Sequence, residues 1–143
     1  QITGDKDVGK TLLAAKIIEE AKRRGMRVLA VKQSHHQPDV PDKDSYRMRE
    51  AGADYVVLHG PGLWAFCSAS LPEISLEFDL AVVEGFRAHK LGFKVHIGPN
   101  TPADADVVFG SADAALEASA ELLLRAHCGV DASALLDQLR RAQ

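Results

Sequence analysis

The stretch Gly4-Asp5-Lys6-Asp7-Val8-Gly9-Lys10-Thr11 satisfies the pattern G-x-x-x-x-G-K-[ST] at every fixed position and opens the helix-forming run Leu12 to Arg24. A glycine-rich turn lets successive backbone N–H groups point inward at phosphate oxygens, Lys10 supplies a positive charge, and the Thr11 hydroxyl suits a magnesium ion. The positive dipole end of the following helix acts on the same spot. With glycine near 7% of residues, the pattern arises by chance in roughly one chain of this length in two hundred. Its context also fits, because Ile2-Thr3 reads as the end of a strand and an alanine- and leucine-rich helix comes next. The sequence therefore predicts a phosphate-binding loop rather than a surface turn before an ordinary helix. Its candidate nucleotide contacts are Gly4, Asp7, Val8, Gly9, Lys10, Thr11 and Leu12, with Lys10 as a catalytic cation and Thr11 as a metal ligand. Two acids inside the loop, Asp5 and Asp7, are discordant beside phosphate charge, so their side chains are expected to point to solvent or to a partner.

Working outward, a loop of this kind follows a buried strand of about five residues. Only Gln1, Ile2 and Thr3 precede Gly4, so further strand residues are expected upstream of Gln1. On the other side, Leu12, Leu13, Ile17 and Ile18 fall at helical spacing and Gly25 stands where a C-cap glycine belongs, which predicts a helix from about Lys10 to Arg24. Val28-Leu29-Ala30-Val31 is a continuous apolar run, as a parallel strand covered on both faces should be, and strand, helix, strand makes a right-handed crossover. The polar stretch from Lys32 to Lys43, with Pro38 and Pro41, then leaves the C-terminal end of that strand, the functional edge of an open α/β sheet.

Asp42 is a plausible N-cap for a short helix from Lys43 to Ala51, closed by Gly52. Tyr55 to Leu58 and Leu63 to Cys67 are strand-like runs joined by His59-Gly60-Pro61-Gly62, too short for a crossover, so an antiparallel pair is expected. Phe78 to Val83, Phe93 to Ile97 and Ala105 to Phe109 read as further strands. Ser111 caps a helix from Ala112 to about His127 ended by Gly129, and a last helix from about Ala132 to Arg141 carries Leu135, Leu136 and Leu139 on one face. The fold class expected is α/β: a three-layer phosphate-loop domain over 1–143, with a mostly parallel sheet, helices on both faces and one antiparallel strand pair.

Composition agrees with one globular domain: 143 residues, 46% hydrophobic and 26% charged. A formal net charge of −3 without a basic stripe argues against non-specific nucleic-acid binding. The apolar runs are strand-sized and no export signal is visible, so no membrane partner and a cytoplasmic location are expected. Cys67 and Cys128 lack C-x-x-C spacing and read as two buried free thiols.

The second strong signal is Leu80-Ala81-Val82-Val83-Glu84, an apolar strand with a carboxylate at its C-terminal end. The magnesium coordinated by Thr11 would lie beside the ends of neighbouring parallel strands, and a hard cation wants an oxygen ligand there, which makes Glu84 the candidate acid and metal ligand, directly or through a water. His35-His36 invites a metal reading with Asp39 or His59, but no H-x-x-x-H spacing accompanies it. Phosphate or partner contact and plain loop structure are the alternatives. Asp44 either holds the metal's water shell, as a third catalytic candidate, or simply favours the helix dipole. Arg87, Lys90 and Lys94 form a positive cluster that suits a phosphate-bearing substrate or an ordinary solvated face.

The succession ITGDKDVGKT, VLAVKQSHH, KDSYRMREAGA and FDLAVVEGF followed by FKVHIG resembles the molybdopterin-guanine dinucleotide biosynthesis protein B family over about Gln1 to Gly98. The resemblance implies a GTP-binding protein of molybdenum-cofactor maturation that hydrolyses GTP weakly, uses Mg2+ and forms a homodimer. It also implies an adaptor to the guanylyltransferase that attaches GMP to molybdopterin, with molybdopterin itself a further candidate partner. Gly9, Lys10 and Thr11 match the family's phosphate-binding positions, Glu84 its E-G-F-K acid, Lys32, His35 and His36 its lysine-histidine segment, and Asp44-Ser45 its D-S pair. Arg87 replaces the lysine of E-G-F-K, keeping the charge with a planar fork that alters a phosphate contact. Leu12 replaces a frequent second threonine. A preference for guanine rests on the resemblance alone, and no arginine finger or water-orienting glutamine is evident. The rivals are a small-molecule kinase using ATP or GTP, with Asp44 or Lys32 handling the acceptor, and an interaction module without turnover.

Overall fold

The computed structural model describes residues 1–34, 40–53, 55–60, 63–68, 78–126 and 132–141. In chain order the elements are β1 (Ile2–Gly4), α1 (Lys10–Arg23), β2 (Val28–Lys32), α2 (Asp44–Glu50), β3 (Tyr55–Gly60), β4 (Leu63–Ser68) and β5 (Leu80–Glu84). β6 (Val95–Ile97), β7 (Val107–Phe109), α3 (Ala112–Glu117), α4 (Ser119–Arg125) and α5 (Ala132–Arg141) follow. They divide into two compact units, one of Gln1–Gln33 with Ser75–Gln143 and one of Ser34–Ile74.

In the first unit β2, β5, β1, β6 and β7 form one sheet in that order, every pair parallel. Because the strands run the same way, the C-terminal ends of β1, β2 and β5 lie together, with Glu84 in register with both Ile2 and Lys32. Leu13, Ala14, Ile17 and Ala21 give α1 a buried stripe, which packs with Ile2, Leu80, Val82, Val95 and Ile97 of the sheet and Ala115, Leu122 and Leu123 of α3 and α4. Full burial of one leucine such as Leu13 contributes about 1.5–3 kcal/mol. Val83 points to the sheet's opposite face and is buried too, so β5 is covered on both faces, as its unbroken apolar run predicts. Leu135, Leu136 and Leu139 of α5 are all buried, in line with the predicted face.

Several boundaries differ from the sequence reading for local reasons. α1 ends at Arg23, with Arg24 as C-cap and Gly25 beyond it at φ 77°, while Leu12 is exposed and Ile18 only flanks the core. β6 starts at Val95 rather than Phe93 because the Lys94 N–H donates to the Asp106 carboxylate at 2.7 Å. β5 starts at Leu80 because Asp79 turns its carboxylate to Arg27. The single helix expected from Ala112 is two, divided at Ala118 (φ −81°, ψ 0°), and Ala115 of the first and Leu122 and Leu123 of the second enter the same core. Ser111 caps it as expected, accepting from the Ala114 N–H. The predicted end at His127 and Gly129, and Cys128, lie outside the described residues.

In the second unit β3 and β4 pair antiparallel from Tyr55 opposite Ser68 to Gly60 opposite Leu63, as their short connection requires. α2 begins at Asp44, later than predicted. Asp42 has φ 67°, a left-handed conformation unlike the extended one of an N-cap, so it does not open the helix. Among the described residues no helix is long and apolar enough to cross a membrane.

Candidate functional site

The loop leaves the C-terminal end of β1 and turns into α1 through two left-handed residues, Asp7 at φ 59° and Gly9 at φ 87°. Gly9 is the N-cap of α1, and the helix has no side-chain cap and no acid in its first turn. Its end is therefore electrostatically suited to an anion supplied from outside. A Cβ on Gly4 would stand 2.5 Å from the Ile97 carbonyl oxygen, so only glycine allows the loop to pass this close to β6.

Beside the helix end lies an open cleft of about 250 Å3, bounded by Lys6 and Asp7 of the loop, Gly9 to Leu12 at the start of α1, and Lys32 and Glu84 on the strands. It is smaller than the ~300–1,000 Å3 clefts that enclose whole ligands, and its lysine-bearing walls suit a small anion such as a phosphate group. The Lys10 Nζ donates to the Asp5 carbonyl across the loop. The Thr11 hydroxyl donates to Glu84 Oε2 at 2.9 Å, and the Lys32 ammonium lies 3.1 Å from the Thr11 oxygen and 3.1 and 3.2 Å from the two Glu84 oxygens. Glu84 is only 9% exposed and is the acid at this end of β5. A hydroxyl and a carboxylate oxygen at this spacing fit adjacent corners of a magnesium octahedron, whose ligands at 2.0–2.1 Å stand about 2.9 Å apart. The donor set thus suits an ion that takes its other ligands from phosphate and water.

Of the residues singled out in the sequence, Asp7, Gly9, Lys10, Thr11, Leu12, Lys32 and Glu84 bound this one cleft, whereas Gly4 and Val8 do not. Arg87 is placed differently: its guanidinium donates to Asp5 Oδ1 at 3.0 Å and to the Asn100 carbonyl, outside the residues that bound the cleft. Asn100 Nδ2 holds the other Asp5 oxygen at 2.9 Å. Hydrogen bonds from Asn100 and then Arg87 keep the Asp5 carboxyl below the usual carboxylate range, so this acid meets a partner inside the protein. The supposed cationic cluster is internally neutralised, since Lys90 pairs with Asp106 at 2.7 Å and the wholly buried Lys94 with Asp104 at 2.7 Å. Asp44 opens α2 in the second unit. His35, His36 and Asp39 lie outside the described residues, as does the His59 side chain.

Two residues of this unit were not singled out by sequence. Gln33 Oε1 accepts from the Phe86 N–H at 2.6 Å and its own N–H donates to the Glu84 carbonyl at 2.9 Å, clamping the end of β2 to the turn after Glu84. His96, fully buried, sets its Nδ1 3.0 Å from the Thr3 hydroxyl beneath the loop. Neither carries a motif that sequence could display.

The sequence profile of the family described as molybdopterin guanine dinucleotide synthesis protein B matches residues 1–101. The chain belongs to that family. A molybdopterin-guanine dinucleotide biosynthesis adapter protein from Haemophilus influenzae is 40% identical over a 98-residue alignment covering 60% of this chain and 55% of that protein. One of the same description from Escherichia coli is 35% identical over 97 residues, covering 58% and 55%. The chain thus spans about half the length of the curated relatives it matches. Among solved structures, Bacillus subtilis MobB superposes with a TM-score of 0.56 at 22% identity, over 91% of this chain and 97% of that one. A MobB homologue from Bacillus stearothermophilus gives 0.56 at 21%, over 90% and 97%. At such identities the likeness speaks for the α/β fold, which agrees with the mostly parallel sheet described above.

Proposed function

We propose that this chain binds Mg–GTP and presents it, or the bound state it induces, to the guanylyltransferase that attaches GMP to molybdopterin. In this reading it is a cytoplasmic, homodimeric adaptor with slow GTP hydrolysis. The observation that carries the reading is the convergence of Lys10, Thr11, Lys32 and Glu84 on one cleft at an uncapped helix start. In it Lys10 meets the β- and γ-phosphates, Thr11 and Glu84 hold magnesium, and the backbone N–H groups from Asp7 to Thr11 line the anion. The ion, when bound, neutralises phosphate charge. The adapter relatives and family membership support the pathway, and the reading extends the resemblance to this chain's own partners.

Calorimetric titration with GTP and ATP in magnesium tests it. GTP is expected to bind more tightly, and Lys10→Ala to lose about 10- to 100-fold in affinity with its thermal midpoint unchanged, the scale of a lost charged hydrogen bond. Affinity retained in Lys10→Ala would remove the phosphate-loop assignment. Equal GTP and ATP affinities would remove only the guanine claim. Phosphate transfer to an added small-molecule acceptor would favour a kinase.

A further inference from the structure

We propose that the Lys32 ammonium and a magnesium ion are alternative occupants of one position between Thr11 and Glu84, so that loading the metal releases the Lys32 side chain into the phosphate cleft. The inference rests on reading this cleft as a phosphate and metal site.

The geometry carries it. Lys32 Nζ contacts Thr11 Oγ1 at 3.1 Å and both Glu84 oxygens at 3.1 and 3.2 Å, the same atoms that form the candidate ligand edge. A divalent ion bound to that edge would share the Glu84 carboxylate with the Lys32 ammonium at close range, where the repulsion between the two cations disfavours holding both. One of them leaves. The side chain is free to do so, because Lys32 is 60% exposed and its stem is a flexible chain of methylenes, whereas Glu84 is buried on its strand. The backbone cannot follow, since Lys32 and Glu84 are register partners on β2 and β5 and Gln33 ties β2 to the Phe86 turn. Exchange is therefore confined to one side chain. It serves two ends: without metal, Lys32 balances a carboxylate that would otherwise be nearly buried and unpaired, and with metal its charge moves next to Lys6 and Lys10, where a polyphosphate needs it.

Two measurements on the nucleotide-free full chain test the exchange, with Mn2+ as the probe ion. Free Mn2+ followed by electron paramagnetic resonance is expected to show that Lys32→Met binds the ion about three- to sixfold more tightly than wild type, because a competitor worth a modest ion pair is gone. In the wild-type protein, saturating Mn2+ is expected to raise acetylation of Lys32 at least about twofold by peptide mass spectrometry, while the exposed Lys16 stays constant. Unchanged or weaker Mn2+ binding in Lys32→Met overturns the proposal. So does unchanged Lys32 labelling, which would make Lys32 a nearby charge rather than an occupant. The labelling arm uses wild type, so misfolding of the variant does not blunt the test. Failure of the GTP titration, by contrast, would remove the nucleotide reading and leave the Mn2+ result to judge the exchange on its own.

Discussion

His96 shows what a single buried side chain does beneath a loop of this kind. It is fully buried, Nδ1 meets the Thr3 hydroxyl, and Nε2 has no protein partner among the described residues. Burial first, and the nearby Arg87 charge second, hold its pKa below the usual histidine value of 6.5. The folded state therefore resists a proton that the unfolded chain accepts, so stability is full above about pH 6.5 and is lost as pH falls from there through the lower folded-state value. The thermal midpoint of wild type is expected to decline between pH 7 and pH 5, and His96→Gln to decline less over the same window. Scanning calorimetry at several pH values checks this. Equal slopes would mean that His96 titrates as an exposed imidazole.

At the scale of elements, the direction of β5 decides which acid could serve a metal at the proposed site. Asp79 and Glu84 bracket the strand, and five residues at about 3.3 Å each separate them by roughly 16 Å. Parallel pairing puts Glu84 beside the loop, while Asp79 accepts from the Arg27 backbone N–H at 2.8 Å and from its guanidinium at the far edge. Arg27's side-chain and backbone hydrogen bonds lower the Asp79 carboxyl to about 2. Glu84→Gln is expected to weaken magnesium-dependent GTP affinity by about tenfold or more, on the scale seen when support of a metal is removed. Asp79→Asn should change it little. Affinities at several magnesium concentrations distinguish the two, and a larger loss in Asp79→Asn would contradict the site's placement at this end of the sheet.

For the first unit as a whole, three exposed or half-exposed carboxylates are held by cations or amides from other segments. Asp5, Asp104 and Asp106 all sit below the ordinary carboxylate value, through hydrogen bonds from Asn100, Lys94 and Lys90 respectively. Depressed acids contribute stability that is present above about pH 3.8 and lost as pH falls through their folded-state values. A second, steeper loss of stability is therefore expected below about pH 4, read by circular dichroism during acid titration. Asp104→Asn should flatten this acid limb. It should also destabilise the protein at pH 7, because the buried Lys94 ammonium loses the charge of its carboxylate partner. An acid limb as steep as wild type would mean that Asp104 contributes no linkage.

What the sequence determined by itself was whatever depends on neighbours along the chain. The loop's chemistry lies in backbone N–H groups, glycines and a lysine within a few residues, so Gly4 to Thr11 was legible, as were the apolar strand ending in Glu84 and the antiparallel β3–β4 pair with its short connection. Strand direction alone was enough to assign Glu84 to the loop. Pairing between remote side chains was not legible, because it depends on the strand order β2-β5-β1-β6-β7, which no local period encodes. Arg87 reaches Asp5 across 82 residues and Asn100 reaches it across 95, so a run of cations that looked like one patch became separate ion pairs. Likewise Lys32 stands against Glu84 only because β2 and β5 are adjacent and in register. Tertiary structure alone set that contact, since hydrogen bonding between parallel strands fixes which side chains share a row.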